Sequence, residues 1–200
     1  ILLGLTTGQM RALDSAQIGA FALQAVGSLD SAQLRALSTE AFVGWRVDQV
    51  RVFRSGQTVG WSSTQLGALG MDQVTALSPL VLRSLNTAQL GGLTTVQVGV
   101  LTTAQVASLG SDQFAGFSVE AMAAFGTKAL AMLSSSQCGG FGSRELAALG
   151  AEGVRALSVS AVRGLASAAL SGLDRGQVGA LTTGQVSALR SGQLMGLASG

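Results

Sequence analysis

Residues 45–61 gather the side chains best suited to gripping another molecule: Trp45, Arg46, Arg51, Arg54 and Trp61, with Phe53 between them. Tryptophan and arginine are the residue types that dominate protein interfaces, and a guanidinium stacks readily on an indole face. Thr58 breaks an otherwise apolar column in the same stretch. These five residues are the candidate binding site, for a protein or peptide partner. The competing explanation is a locally enlarged core with arginine at its edges.

Other chemistry is sparse. The chain has no histidine, which removes a Ser-His-Asp arrangement and the usual zinc and haem ligands. It has no GxxxxGK[ST] phosphate loop, and the pairs Gly91-Gly92 and Gly139-Gly140 fall at helix positions where close packing explains them. Asp112 with Glu120, and Glu40 with Asp48, are acids eight residues apart. Neither pair supplies the six to eight oxygens of a calcium site, and each reads better as a helix N-terminal charge. Cys138 stands where valine or leucine usually stands and reads as a buried small hydrophobe. A single cysteine forms no internal disulfide. The expectation is no catalysis, no metal and no cofactor.

All of these residues sit on one frame. Stepping by eight from Leu5, a large apolar residue occurs at each of 25 consecutive places to Leu197, without insertion or deletion. Most are leucine, with Phe at 21, 53, 117, 125 and 141 and Trp at 45 and 61. Both candidate tryptophans are therefore members of the repeat. Residues 93–109, LTTVQVGVLTTAQVASL, show the octad in its plainest form. A strict period is read before any local motif, and this one announces an array.

The apolar spacings alternate between five and three. One continuous helix would drift by about 80° per octad and smear that pattern round its surface. A strand would send successive apolar residues to opposite faces. The chain must turn once per octad. In the octad beginning at Leu93, Thr94 is a good N-cap and Gln97 completes the S/T-x-x-E/Q capping box. Leu93 and Val98 then occupy the two places of the hydrophobic staple. Pro79, the single proline, falls at the first helical position, where its missing N–H is harmless. All ten acidic residues lie between N-cap and N3, and Arg11, Arg35, Arg51, Arg83, Arg155 and Arg163 share one place near the helix end, as the helix dipole favours. Because only Arg155 and Arg163 are in consecutive units, a continuous phosphate track is not expected.

The place before each large residue is nearly always Ala, Gly or Ser, which lets neighbouring helices approach. Gly70, Gly110, Gly126, Gly142 and Gly150 occupy the cap place, where glycine also suits the end of the previous helix. Each octad is thus predicted to be a helix of about five to seven residues and a sharp turn. Helices this short are unstable alone. Burial of two large residues per octad, at about 1.5–3 kcal/mol each, must hold them, and that needs stacked neighbours. The prediction is an all-α, tight α-solenoid of about 24 units, alternate helices forming two layers so that sixteen residues make one coil. A coil rich in 3₁₀ helix or containing β-structure is the alternative.

The bulk composition agrees. Hydrophobic residues make up 48% and charged residues 11%, too apolar for a disordered chain. A net charge of +2 gives no reason to expect nucleic acid or an anionic membrane. Residues 84–111 carry no charge, but Gln89, Gln97 and Gln105 interrupt them, so no membrane span is expected. The chain opens on Ile1 and closes on Ala198-Ser199-Gly200, each inside a repeat. It reads as one continuous array, 1–200, cut from a longer one.

On the string L-T-T-x-Q-V-x-x-L, clearest at residues 93–109 and 181–189, the whole chain resembles repeat regions of very large bacterial surface or secreted proteins, loosely labelled adhesins or haem-utilisation proteins. The resemblance implies an extracellular or cell-surface location. It implies a structural or adhesive scaffold, with other proteins or cell-surface components as partners. It carries no functional residue over, and without histidine a haem role has no iron ligand. A protein-binding solenoid using an exposed face is the alternative function.

Overall fold

A computed structural model describes residues 4–198. They form 24 short helical elements in chain order, one per octad, with no strand among them. Twenty-two are α-helical and two, Ser55–Gly60 and Ser111–Gly116, are 3₁₀. The two termini at which the array was expected to be cut mid-repeat include residues 1–3 and 199–200, which lie outside the described residues.

The caps follow the octad. Thr94 precedes helix Thr95–Gly99; its hydroxyl accepts the Gln97 N–H, and Gln97 Oε1 accepts the Thr94 N–H at 2.8 Å. The same box recurs at Asp14, Asp30, Ser62, Asn86, Thr102, Ser134, Asp174 and Thr182. Pro79 stands at the start of its helix. One expectation changes. The cap-place glycines 70, 110, 126 and 142 are extended with negative φ, and only Gly150 adopts positive φ, +65°. Nine elements end on the large apolar residue itself, which turns extended, as Leu109 does at φ −62°, ψ 140°; among the described residues a left-handed glycine occurs once.

The coil differs from the two-layer expectation. Helix Thr7–Arg11 packs on Ser31–Ala36, Ser15–Gly19 on Thr39–Phe42, and Ser135–Cys138 on Val159–Gly164. Each contact joins units three apart, where a sixteen-residue coil would join units two apart. Side-chain bonds define the register more finely: Gln97 Nε2 donates to the carbonyls of Leu66, 31 residues back, and Leu69, 28 residues back. One coil therefore takes between three and four octads. The alternation of five and three says only that the chain turns each octad; the angle of that turn is set by packing between units.

The glutamine at N3 consequently has two jobs. Its Oε1 caps its own helix, and its Nε2 bridges to the coil before. Gln49 reaches Ile18 and Phe21, Gln105 reaches Val74 and Leu77, and Gln185 reaches Val154 and Leu157. This accounts for a bias that capping leaves unexplained. Fifteen of the 24 N3 places hold Gln and one, Glu145, holds Glu, although either suits a capping box. Only the amide brings a donor as well as an acceptor.

Inside the coil lie the two apolar columns, the large repeat residue and the N4 residue, as one continuous core. Leu66, Val74, Leu82, Leu90 and Val106 are all fully buried. The small-residue place is where coils touch backbone to backbone. A Cβ on Gly92 would overlap the Ser63 backbone, and one on Gly140 the Ser111 backbone, 29 residues earlier in both cases. No helix among the described residues is long and apolar enough to cross a membrane.

Candidate functional site

The structure separates the tryptophans from the arginines. Trp45 and Trp61 point inward and are 2% and 4% exposed. They join Phe21, Phe42 and Phe53 in a chain of edge-to-face rings, with Trp45–Phe53 centroids 5.1 Å apart and Phe53–Trp61 centroids 5.0 Å apart. Such pairs add about 0.5–1.5 kcal/mol beyond burial. Neither indole Nε1 has a hydrogen-bond partner, although each is shielded from solvent. The backbone carbonyls of these two residues take the bridges from Gln73 and Gln89. The indoles belong to the core, and Trp45 also borders a hollow beside Arg46.

The three arginines lie outside, in three different grooves. Arg46 grips Asp48 through Nε and Nη2, both at 3.1 Å, and also donates to the Gly19 carbonyl. That guanidinium, chiefly by its hydrogen bond, holds the Asp48 carboxyl below the usual aspartate value. Arg46 borders a hollow with Val43, Met71 and Asp72. Arg51, at the end of the same helix, lines a groove with Val47, Asp72 and Thr75 from the following coil. Arg54 faces the preceding coil beside Leu23, Gln24 and Gly27. What survives of the expected cluster is a surface with arginine spread across it, and beside Arg46 the exposed apolar side chains Val43 and Met71. Thr58 is buried with its hydroxyl used: it donates to the Ser55 carbonyl at 2.7 Å and shares a 3.1 Å bond with Ser84.

The remaining candidates have structural partners. Burial pushes the Cys138 thiol up to about 12, so it is un-ionised at neutral pH. Ser111 holds the Asp112 carboxyl low, and the backbone amide of Glu120, with Ser118, does the same for Glu120. Consecutive octads occupy successive sides of a coil, so acids eight apart belong to different helices. Among the described residues no group of three metal-ligating side chains forms. Two arginines of the helix-end place also bind between coils: Arg35 donates to the Val59 carbonyl at 2.9 Å, and Arg83 to that of Ser108 at 3.0 Å.

Another hollow lies elsewhere on the array. A groove of about 770 Å³ runs past Asn86, Gly110 and Ser134, three N-cap residues spaced 24 apart. Arg83, Asp112 and Met132 border it. The signal for it in the sequence is a glycine between two polar caps at the 24-residue spacing, a spacing that becomes meaningful only once the coil is known.

Residues 82–111 match the family model of the ALTTAQ repeat. That match covers the most regular octads and supports a repeat region. No curated protein matches the chain.

Proposed function

We propose that the chain is a structural spacer: one continuous octad array in a large bacterial surface or secreted protein that holds other parts at a fixed distance and catalyses nothing. The observation that carries this reading is the double use of the N3 glutamines, whose amide caps one helix and bridges to the previous coil. The small residues and two arginines, Arg35 and Arg83, are engaged in the same inter-coil contacts. Side chains recurring every octad thus serve the array itself, which suits a part whose output is length.

The test uses the array beneath a reporter domain at a cell surface. Removing residues 63–118, seven octads and two coils in register, should lower the reporter by about 18 Å, given about 9 Å between packed helices. Reporter binding should persist. Loss of a specific binding activity on this deletion, but not on removal of residues 119–174, refutes the spacer.

A protein-binding array is the second reading. In its favour are exposed apolar residues on helices separated by multiples of three units, Leu23, Met71, Val96 and Val119, with the helix that Arg46 caps falling between the first two. Changing Arg46, Arg51 and Arg54 to Ala should then abolish partner capture while leaving the fold intact; unchanged capture removes this reading.

A further inference from the structure

The bridging glutamines are unevenly distributed along the array. From residue 33 to 113 the N3 place holds Gln except at Ala41 and Val81. From 121 to 169 it holds Ala121, Ala129, Gln137, Glu145, Gly153, Ala161 and Ala169. Gln137 is the only bridge in that run, reaching Val106 and Leu109. Gln resumes at 177, 185 and 193, where the last two again bridge in the regular register.

The consequence falls on the carbonyls that bridges serve. In the dense section Leu69, Leu77 and Leu85 receive Gln97, Gln105 and Gln113. In the sparse section the equivalent places for Phe117, Phe125, Leu133 and Phe141 are occupied by Glu145, Gly153, Ala161 and Ala169, none of which brings an amide donor. Glu145 keeps the capping half of the job, its Oε2 accepting the Gly142 N–H at 2.9 Å, and its carboxylate has nothing to donate across the coil.

A second, independent observation falls in the same place. Leu149 stays helical at φ −66°, ψ −18°, where other repeat residues such as Leu157 turn extended. Helix Ser143–Ala148 therefore runs almost directly into Gly150–Ala156, through the single positive-φ residue of the described chain. The corner between these two octads is altered here.

We propose that residues 143–170, with the 114–141 segment they pack on, form a compliant seam between two stiffer sections, and that the solenoid opens or bends there first. The bridges run from coil to coil, so their loss weakens resistance to separation along the array while the apolar core, including the Phe114, Phe117, Phe125 and Phe141 cluster, keeps the seam closed at rest. This inference rests on the coil register and on the Leu149–Gly150 corner, and stands whether or not the array is a spacer.

Hydrogen exchange on the full chain tests it. Amides of helices in 143–170 should exchange at least tenfold faster than those in 63–113, under conditions where exchange reports local opening. Equal or slower exchange in 143–170 overturns the seam. The variant Glu145→Gln supplies the missing donor without adding bulk. It should slow exchange severalfold in helix Ser143–Ala148, and no change there overturns the assignment of the compliance to the missing bridges.

Discussion

Replacing Gln97 by Glu isolates the inter-coil bridge from the cap. Glutamate keeps an oxygen for the Thr94 N–H, so the capping box is preserved. It loses the donor that serves Leu66 at 3.0 Å and Leu69 at 2.6 Å, with Gly67 at 3.2 Å as a third acceptor. Each net hydrogen bond contributes about 1 kcal/mol, and a buried acceptor left without its donor costs about 1–3 kcal/mol. The site is 3% exposed, so the new carboxylate faces carbonyl oxygens with little water to screen it. The expected loss is about 3 kcal/mol at neutral pH, read as a lower urea midpoint and faster amide exchange in residues 63–69 and 94–99. Such surroundings raise the folded-state pKa of the introduced acid. The protonated form, which can donate, is favoured on folding, so the deficit should shrink as pH falls through that raised value and be full above it. Gln9 provides the control. It makes the same capping box with Thr6, and among the described residues its amide nitrogen has no inter-coil acceptor. Gln9→Glu should cost under about 0.5 kcal/mol, as a change removing no inter-coil bond. Equal effects of the two substitutions would show that the glutamines merely cap, and the bridge argument would be wrong.

Other consequences concern packing and charge. Gly92→Ala should destabilise by about 3 kcal/mol or more in denaturant titration, because its Cβ would meet the Ser63 backbone, whereas Gly179→Ala, with open space at the Cβ, should stabilise by about 0.5–1 kcal/mol. Cys138 should resist alkylation at pH 8 in the folded chain and react only as the array unfolds, since burial holds its thiol near 12; native labelling at the rate of a free thiol would contradict its placement. Arg46→Ala should return the Asp48 carboxyl upward toward 3.8 in a carboxylate NMR titration. With the pair intact, Asp48 favours the folded state above its unfolded value, and that contribution disappears as pH falls through the lowered one.

The octad, the caps, the staple and the inward place of each large residue were legible in the sequence, because each is a relation within eight residues. That register alone already put Trp45 and Trp61 on the core side and the arginines at caps and helix ends. Their nearness along the chain suggested a joint site that the fold divides. The coil was not legible from the apolar spacing, because its period depends on the angle between successive helices and on contacts 28 to 31 residues apart. A trace of it was present in the excess of Gln over Glu at N3, a preference that capping cannot produce. Thr58 shows the same limit: its polar type signalled an exception, and only the fold supplies Ser84 as its partner. The 770 Å³ groove was invisible for the same reason, since its walls come from octads three apart.

Twenty-eight residues return the chain to the coil below. Duplicating residues 63–118 adds two coils without disturbing the octad, and small-angle scattering on the original and extended chains measures the gain in length. A rise of about 9 Å per coil, from ordinary helix packing distances, predicts about 18 Å. A gain near 32 Å, as a sixteen-residue coil of the same rise would give, or no axial gain at all, would contradict the account.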